Sequence, residues 1–287
     1  MRLFVLTAIT MTAFAANSVL NRMAVGPGLI GAVDFALVRL LSGAVMLAVL
    51  ISVRRAVGQG SLWPGRSGRA AGALSLILYL FGFSLAYDAL DAGTGALILF
   101  GMVQMTMFTG ALILGEGVPS RRWIGAAVAF VGLVYLLAPG SAASESFVHA
   151  LLMAAAGVGW GLYSLSARGA SDPLGATGWN FILALPFAVA IGLALPAEAG
   201  AGPATAGGIV LAIVSGAITS ALGYALWYRI LPLLGAARGG VAQLTVPIIA
   251  LAGGMVFLGE LLTLRFAIAA ALVLGGVAYA VRPSSRG

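Results

Sequence analysis

Ten apolar runs, each near the length that crosses a hydrocarbon layer, take up almost all of this 287-residue chain. They fall at about 3–21, 33–53, 70–90, 93–115, 122–138, 148–168, 175–195, 206–230, 237–258 and 264–281. A membrane helix needs about 20 residues, and a chain in lipid must satisfy its own backbone hydrogen bonds. The runs therefore predict helices, and the short gaps leave no room for a domain outside the membrane. Only 8% of residues are charged and mean hydropathy is +1.10. Soluble domains carry roughly a quarter charged residues, so a water-soluble globule is excluded.

A duplication constrains the chain further. The stretch from Gly93 to Pro139 recurs, diverged, from Ala237 to Pro283. Gly95 falls on Gly239, Gly110 on Gly254, Leu114-Gly115-Glu116 on Leu258-Gly259-Glu260, and Gly132 on Gly276, all 144 positions apart (260 − 116). At an offset of 146, Ser18 falls on Ser164, Arg22 on Arg168, Pro27 on Pro173 and Phe35 on Phe181. Matches among special residues at a constant offset indicate an internal repeat. The halves are 1–140 and 141–287, with five helices each. The first run, with Arg2 before it and Ala13-Phe14-Ala15 near its end, has the look of a signal peptide. Its counterpart in the second half argues that it is a retained helix.

All 15 basic residues are Arg, and most sit in the gaps between apolar runs. A pI near 10.6 is also a footprint of nucleic-acid binding, but this distribution serves membrane topology rather than a phosphate-tracking groove. With the N-terminus inside, the inner gaps receive most of the Arg residues and the outer gaps only Arg22 and Arg265. Both termini are therefore expected to be cytoplasmic, and the Ala-, Gly- and Arg-rich composition points to a bacterial inner membrane. Five helices per copy is an odd number, so the second copy enters the membrane inverted. Inverted repeats of this kind mark secondary transporters, whose sites lie near the midplane between the copies.

The paired Leu-Gly-Glu after the fourth and ninth helices, each followed by a helix with a late Gly, carries a family resemblance. Gly159-Trp160-Gly161 with Tyr163-Ser164, Arg39 in the second helix and Pro247 in the ninth extend it over essentially the whole chain. In these features the sequence resembles the drug/metabolite transporter superfamily, specifically its EamA-type ten-helix members. The resemblance implies export or exchange of small metabolites, often amino acids, through a cavity built mainly by helices 1, 3, 4, 6, 8 and 9. Where the second copy has Pro247, the first has Val103 beside Gln104. The proline break expected in the fourth helix is therefore missing.

Polar side chains inside the membrane are costly and tend to face the bundle interior or a water path. Asn17, Gln104 and Gln243 are the midspan amides, available for substrate hydrogen bonds or for bonds between helices. Trp160 and Tyr163 lie too deep for an interfacial belt; with Tyr79, Phe83 and Tyr224 they could wall an aromatic cavity. Arg39 lies about six residues, near 9 Å, into the second helix. It could meet a substrate carboxylate, or form a structural pair with Asp34 or with backbone carbonyls. Glu116 and Glu260, preceded by Gly115 and Gly259, precede a helix and are expected to cap its free N–H groups.

No Cys is present and there is a single His, so no thiolate, metal cluster or hydrolase motif is in view. The expectation is an all-α, polytopic membrane protein that is not an enzyme and needs no cofactor, metal or nucleic acid. Its partners are membrane lipid and a small-molecule substrate, with a homodimer left open. It would export or exchange a small metabolite by alternating access. Multidrug efflux, lipid translocation and a non-transporting scaffold are the alternatives.

Overall fold

Each of the ten apolar runs forms a helix in the computed structural model, which describes residues 1–59, 62–65, 68–115, 119–138, 146–166, 170–195 and 203–281. Side chains at 232, 235–238, 240 and 241 are left out of the description. The first half of the chain holds α1 (Arg2–Val25), α2 (Ala32–Ala56), α3 (Arg69–Ala86), α4 (Ala92–Ile113) and α5 (Ser120–Leu137). The second holds α6 (Phe147–Ser166), α7 (Pro173–Ala194), α8, α9 (Val246–Leu258) and α10 (Leu264–Val281). Helix α8 has three joined parts: α-helical Ala206–Ile213, π-helical Val214–Leu222 and α-helical Gly223–Gln243. Eight helices are long and apolar enough to cross a membrane, α9 and α10 are shorter, and no strand occurs among the described residues. The chain is an all-α, multi-pass membrane protein.

One boundary differs from expectation. The sequence separates the eighth and ninth helices between 230 and 237, whereas α8 runs on to Gln243 and α9 is only 13 residues long. An apolar stretch in lipid keeps its backbone satisfied by continuing the helix. The turn comes instead at Leu244-Thr245, just before Pro247, which occupies the first turn of α9. A missing N–H costs nothing there. Helix α4, with Val103 at the matching position, runs unbroken. Both repeats then end this helix in the same way: Gly115 and Gly259 each have φ +69°, a left-handed turn that glycine adopts without strain.

Hydrogen bonds between loops sort the helix ends onto two rims. On one rim Arg22 donates to the carbonyls of Tyr87 (3.1 Å) and Asp88 (2.7 Å), and Thr205 donates to that of Leu29 (2.9 Å). There too Arg265 donates to Ala138 (2.8 Å). On the other rim Arg54 pairs with Asp172, whose carboxylate also accepts from Gly175 N–H (3.1 Å) and so caps α7. Burial by itself raises the Asp172 carboxyl, but the Arg54 and Gly175 donors outweigh it and hold it below the ordinary value. That contribution to stability is present at neutral pH and lost as pH falls through the lowered value.

The two halves meet in a reciprocal crossing of α5 and α10. A side chain built at Gly132 would meet the carbonyl of Ala269 at 3.1 Å, and one built at Gly276 would meet that of Gly125 at 2.6 Å. Gly132 corresponds to Gly276, and Gly125 to Ala269, at the offset of 144. Each contact thus maps onto the other when the copies are exchanged, as in a two-fold interface. Small residues there let the backbones approach. Gly275, one residue away, faces open space. Gly276→Leu should therefore lower the thermal stability of the purified protein by the roughly 1–3 kcal/mol of overpacking, while Gly275→Leu leaves the melting temperature nearly unchanged. Equal effects in a fluorescence melting assay would mean that the crossing is not close-packed.

Candidate functional site

Asn17 lies in α1 and is buried where that helix meets the π-helical part of α8. Its Oδ1 accepts from Ser215 Oγ (2.8 Å) and Thr219 Oγ1 (2.6 Å), with Ser220 Oγ at 3.3 Å. In an α-helix residues five apart diverge around the axis. The wider π turn, with its i to i+5 repeat, brings Ser215, Thr219 and Ser220 to one side. Ser220 also accepts from Arg39 Nε (3.1 Å), so the network reaches α2, and Arg39 Nη2 donates to Tyr79 Oη (2.8 Å) on α3. The faces of Phe83 and Tyr79 lie 4.9 and 5.2 Å from the guanidinium carbon.

Beside this network lies an aromatic pocket. Phe14, Asn17 and Ser18 of α1, Tyr79 and Phe83 of α3, and Leu99 and Phe100 of α4 line it, together with Trp160 of α6 and Tyr224 of α8. Trp160 is the hub, with ring centroids 5.0 Å from Tyr79, 4.9 Å from Tyr224 and 6.3 Å from Phe14. Glycines seat it. Side chains built at Gly157 and Gly159 would meet the carbonyls of Leu99 and Ser75, so α6 lies against α4 and α3 with backbone nearly touching backbone. The free space at the centre is about 10 Å³, room for about one water and none for a metabolite.

Of the residues that the sequence nominates for substrate contact, Asn17, Tyr79, Phe83, Trp160 and Tyr224 line the pocket. Tyr163 stands behind it, stacked on Trp160 at 5.4 Å and bonded to Thr177 (3.1 Å). Arg39 stands behind Tyr79 and Phe83. Gln104 and Gln243 are partly exposed and outside this lining. Gln243 closes α8 rather than lying in the ninth helix, so it does not mirror Gln104. Phe14, Ser18, Leu99 and Phe100 were not nominated. Nor were the hydroxyls of α8, for which the spacing Ser215, Thr219, Ser220 in an apolar run is the available signal.

Glu116 lies outside the described residues. Glu260 is expected to cap the helix after it, but Thr263 does that, accepting from Phe266 N–H (3.1 Å). Glu260 Oε1 accepts instead from the N–H of Ala92 (2.7 Å), the first residue of α4. The left-handed turn at Gly259, with Glu260 N–H donating to Gly254 (3.1 Å), folds the chain back towards α4. The carboxylate therefore joins the second repeat to the first. Burial raises the Glu260 carboxyl above the ordinary value, against the pull of the Ala92 N–H. A group raised in the folded state contributes stability below its unfolded value and loses it as pH rises through the folded one. The melting temperature of wild type relative to Glu260→Gln should thus be most favourable near pH 4 and decline towards pH 7. A difference that is flat with pH would contradict the assignment.

Comparison with known proteins agrees with this layout. The sequence pattern of the EamA-like transporter family matches residues 148–282, most of the second half of the chain. A Pseudomonas aeruginosa protein, itself described as uncharacterized, is 44% identical over 282 residues, covering 98% of this chain and 95% of its own length. One solved crystal structure superposes with a TM-score of 0.62 over 95% of this chain and 97% of that one, at 22% identity. At that identity the likeness speaks for the fold alone.

Proposed function

The chain belongs to the EamA-like transporter family, within the drug/metabolite transporter superfamily, and from that premise we propose that it exports or exchanges a small amphipathic metabolite by alternating access. The observation that carries this reading is the central pocket, whose walls come from α1, α3 and α4 of one half and α6 and α8 of the other. A site shared between two halves opens to either side when one half rocks against the other. A pocket with room for about one water fits a contracted state that must widen to take a substrate, and the glycine contacts of α6 with α3 and α4 supply a surface along which such motion can run. The halves are 1–140 and 141–287. Their inversion is supported by the reciprocal crossing of α5 and α10, and the distribution of Arg supports cytoplasmic termini in a bacterial inner membrane.

In this reading Trp160, Tyr79, Phe83 and Tyr224 hold the apolar part of the substrate, and Asn17 with the α8 hydroxyls supplies polar contacts. Counterflow in proteoliposomes, with a panel of radiolabelled metabolites and with or without a pH gradient, tests it. Trp160→Ala should cut the flux of the responding substrate roughly tenfold or more, as truncating a central aromatic anchor does. Trp123→Ala, on an exposed face of α5, should leave flux unchanged. Absence of flux across the panel, or equal flux in wild type and Trp160→Ala, would count against the site.

A further inference from the structure

Arg39 carries a charge that its surroundings hold in place without neutralising. It has no exposed surface, and Nη1 has no hydrogen-bond partner. The partners it does have, Ser220, Tyr79 and the rings of Phe83 and Tyr79, are all neutral. The Arg54–Asp172 ion pair and the contact of His149 with Asp88 lie at the rims, away from Arg39. Asp34, one helical turn and a half away on α2, is exposed. Hydroxyls and ring faces orient a guanidinium, but an uncompensated ion in a low-dielectric core remains unfavourable.

The groups that hold Arg39 are also the wall of the pocket. Tyr79 lines it, and Ser220 is linked to Asn17, which lines it too. An anionic group arriving in the pocket needs only to take the place of the Tyr79 hydroxyl to reach the guanidinium. A cationic group finds ring faces and the unpartnered Tyr224 hydroxyl, but no carboxylate to balance its charge. None of the described carboxylates lines the pocket, and Asn17 Oδ1 already accepts from the α8 hydroxyls.

Resting on the transport reading above, we propose that Arg39 is the anion subsite of the central pocket and that the substrate is an amphipathic monocarboxylate. Its aromatic or branched apolar body packs against Phe14, Phe83, Phe100 and Trp160. Its carboxylate takes the fork of Arg39, a geometry that suits paired N–H donors. One guanidinium is balanced by one carboxylate; a phosphate dianion would leave a buried negative excess, and the ammonium of a zwitterion would restore the positive excess with no carboxylate in the lining to offset it. Occupancy therefore completes the charge balance of the core.

A series of one shape and three charges tests the subsite: phenylpropionate, phenylpropanol and phenylpropylamine, titrated calorimetrically into the purified protein. The acid should bind about tenfold to a hundredfold tighter than the alcohol, the size of a charge-assisted hydrogen bond, and the amine should bind more weakly than the acid. Arg39→Gln, kept if it is monodisperse on size exclusion, should bring the acid down to the level of the alcohol while the alcohol is unaffected. Arg39→Lys should keep part of the preference. If Arg39→Gln does not fold, the wild-type series decides the matter by itself. Equal binding of acid and alcohol, tighter binding of the amine, or binding of none of the three overturns the anion subsite. The transport reading is judged separately, by metabolite counterflow, and survives that result if any substrate of the panel moves.

Discussion

In lipid no water stands ready to satisfy a polar group, so every donor and acceptor in the bundle needs a partner from the protein. The centre of this fold is organised by that constraint. Asn17 cannot face hydrocarbon, and the π-helical stretch of α8 places hydroxyls around its carbonyl oxygen. Ser220 passes the network on to Arg39, and Arg39 passes it to Tyr79. Four helices, two at the sequence start of the first half and one each from the middle of both halves, are thereby fixed to one polar cluster. The aromatic pocket is the apolar side of the same cluster.

The transmembrane count and the identity of the best pocket residues were legible in the sequence. Run length and the need to close backbone hydrogen bonds dictate ten helices almost independently of packing, and midspan Asn17, Trp160 and Tyr79 stand out as groups that lipid does not favour. What could not be read depends on register between helices. Ser215, Thr219 and Ser220 converge only because α8 widens to a π turn, and nothing in an apolar run specifies that. Glu260 looks like a cap for its own following helix, yet a turn at Gly259 sends it to Ala92, 168 residues earlier. Leu99 and Phe100 resemble ordinary core residues until α6, through Gly157, is brought against α4.

Under the proposed repeat, equivalent positions match at the periphery and differ at the centre. At the periphery the copies keep the same work: Gly115 and Gly259 make the same turn, and Gly132 and Gly276 occupy the same close crossing. At the centre they differ. α4 passes Val103 without a break, whereas the second copy interrupts its helix just before Pro247. Arg39 has Leu185 at the matching place, 146 positions on. The buried charge of Arg39 therefore has no counterpart in the second half.

A transport site shared between the halves requires the second half to cross the membrane upside down relative to the first. The natural chain has no cysteine, so a single introduced one is a unique label. Ser120→Cys lies at the start of α5 and Leu261→Cys in the loop before α10, both exposed and following the equivalent helices α4 and α9. A membrane-impermeant maleimide applied to intact cells should label Leu261→Cys and spare Ser120→Cys until the membrane is opened. Labelling of both from the same side would contradict the inverted architecture and, with it, a transport site shared between the halves.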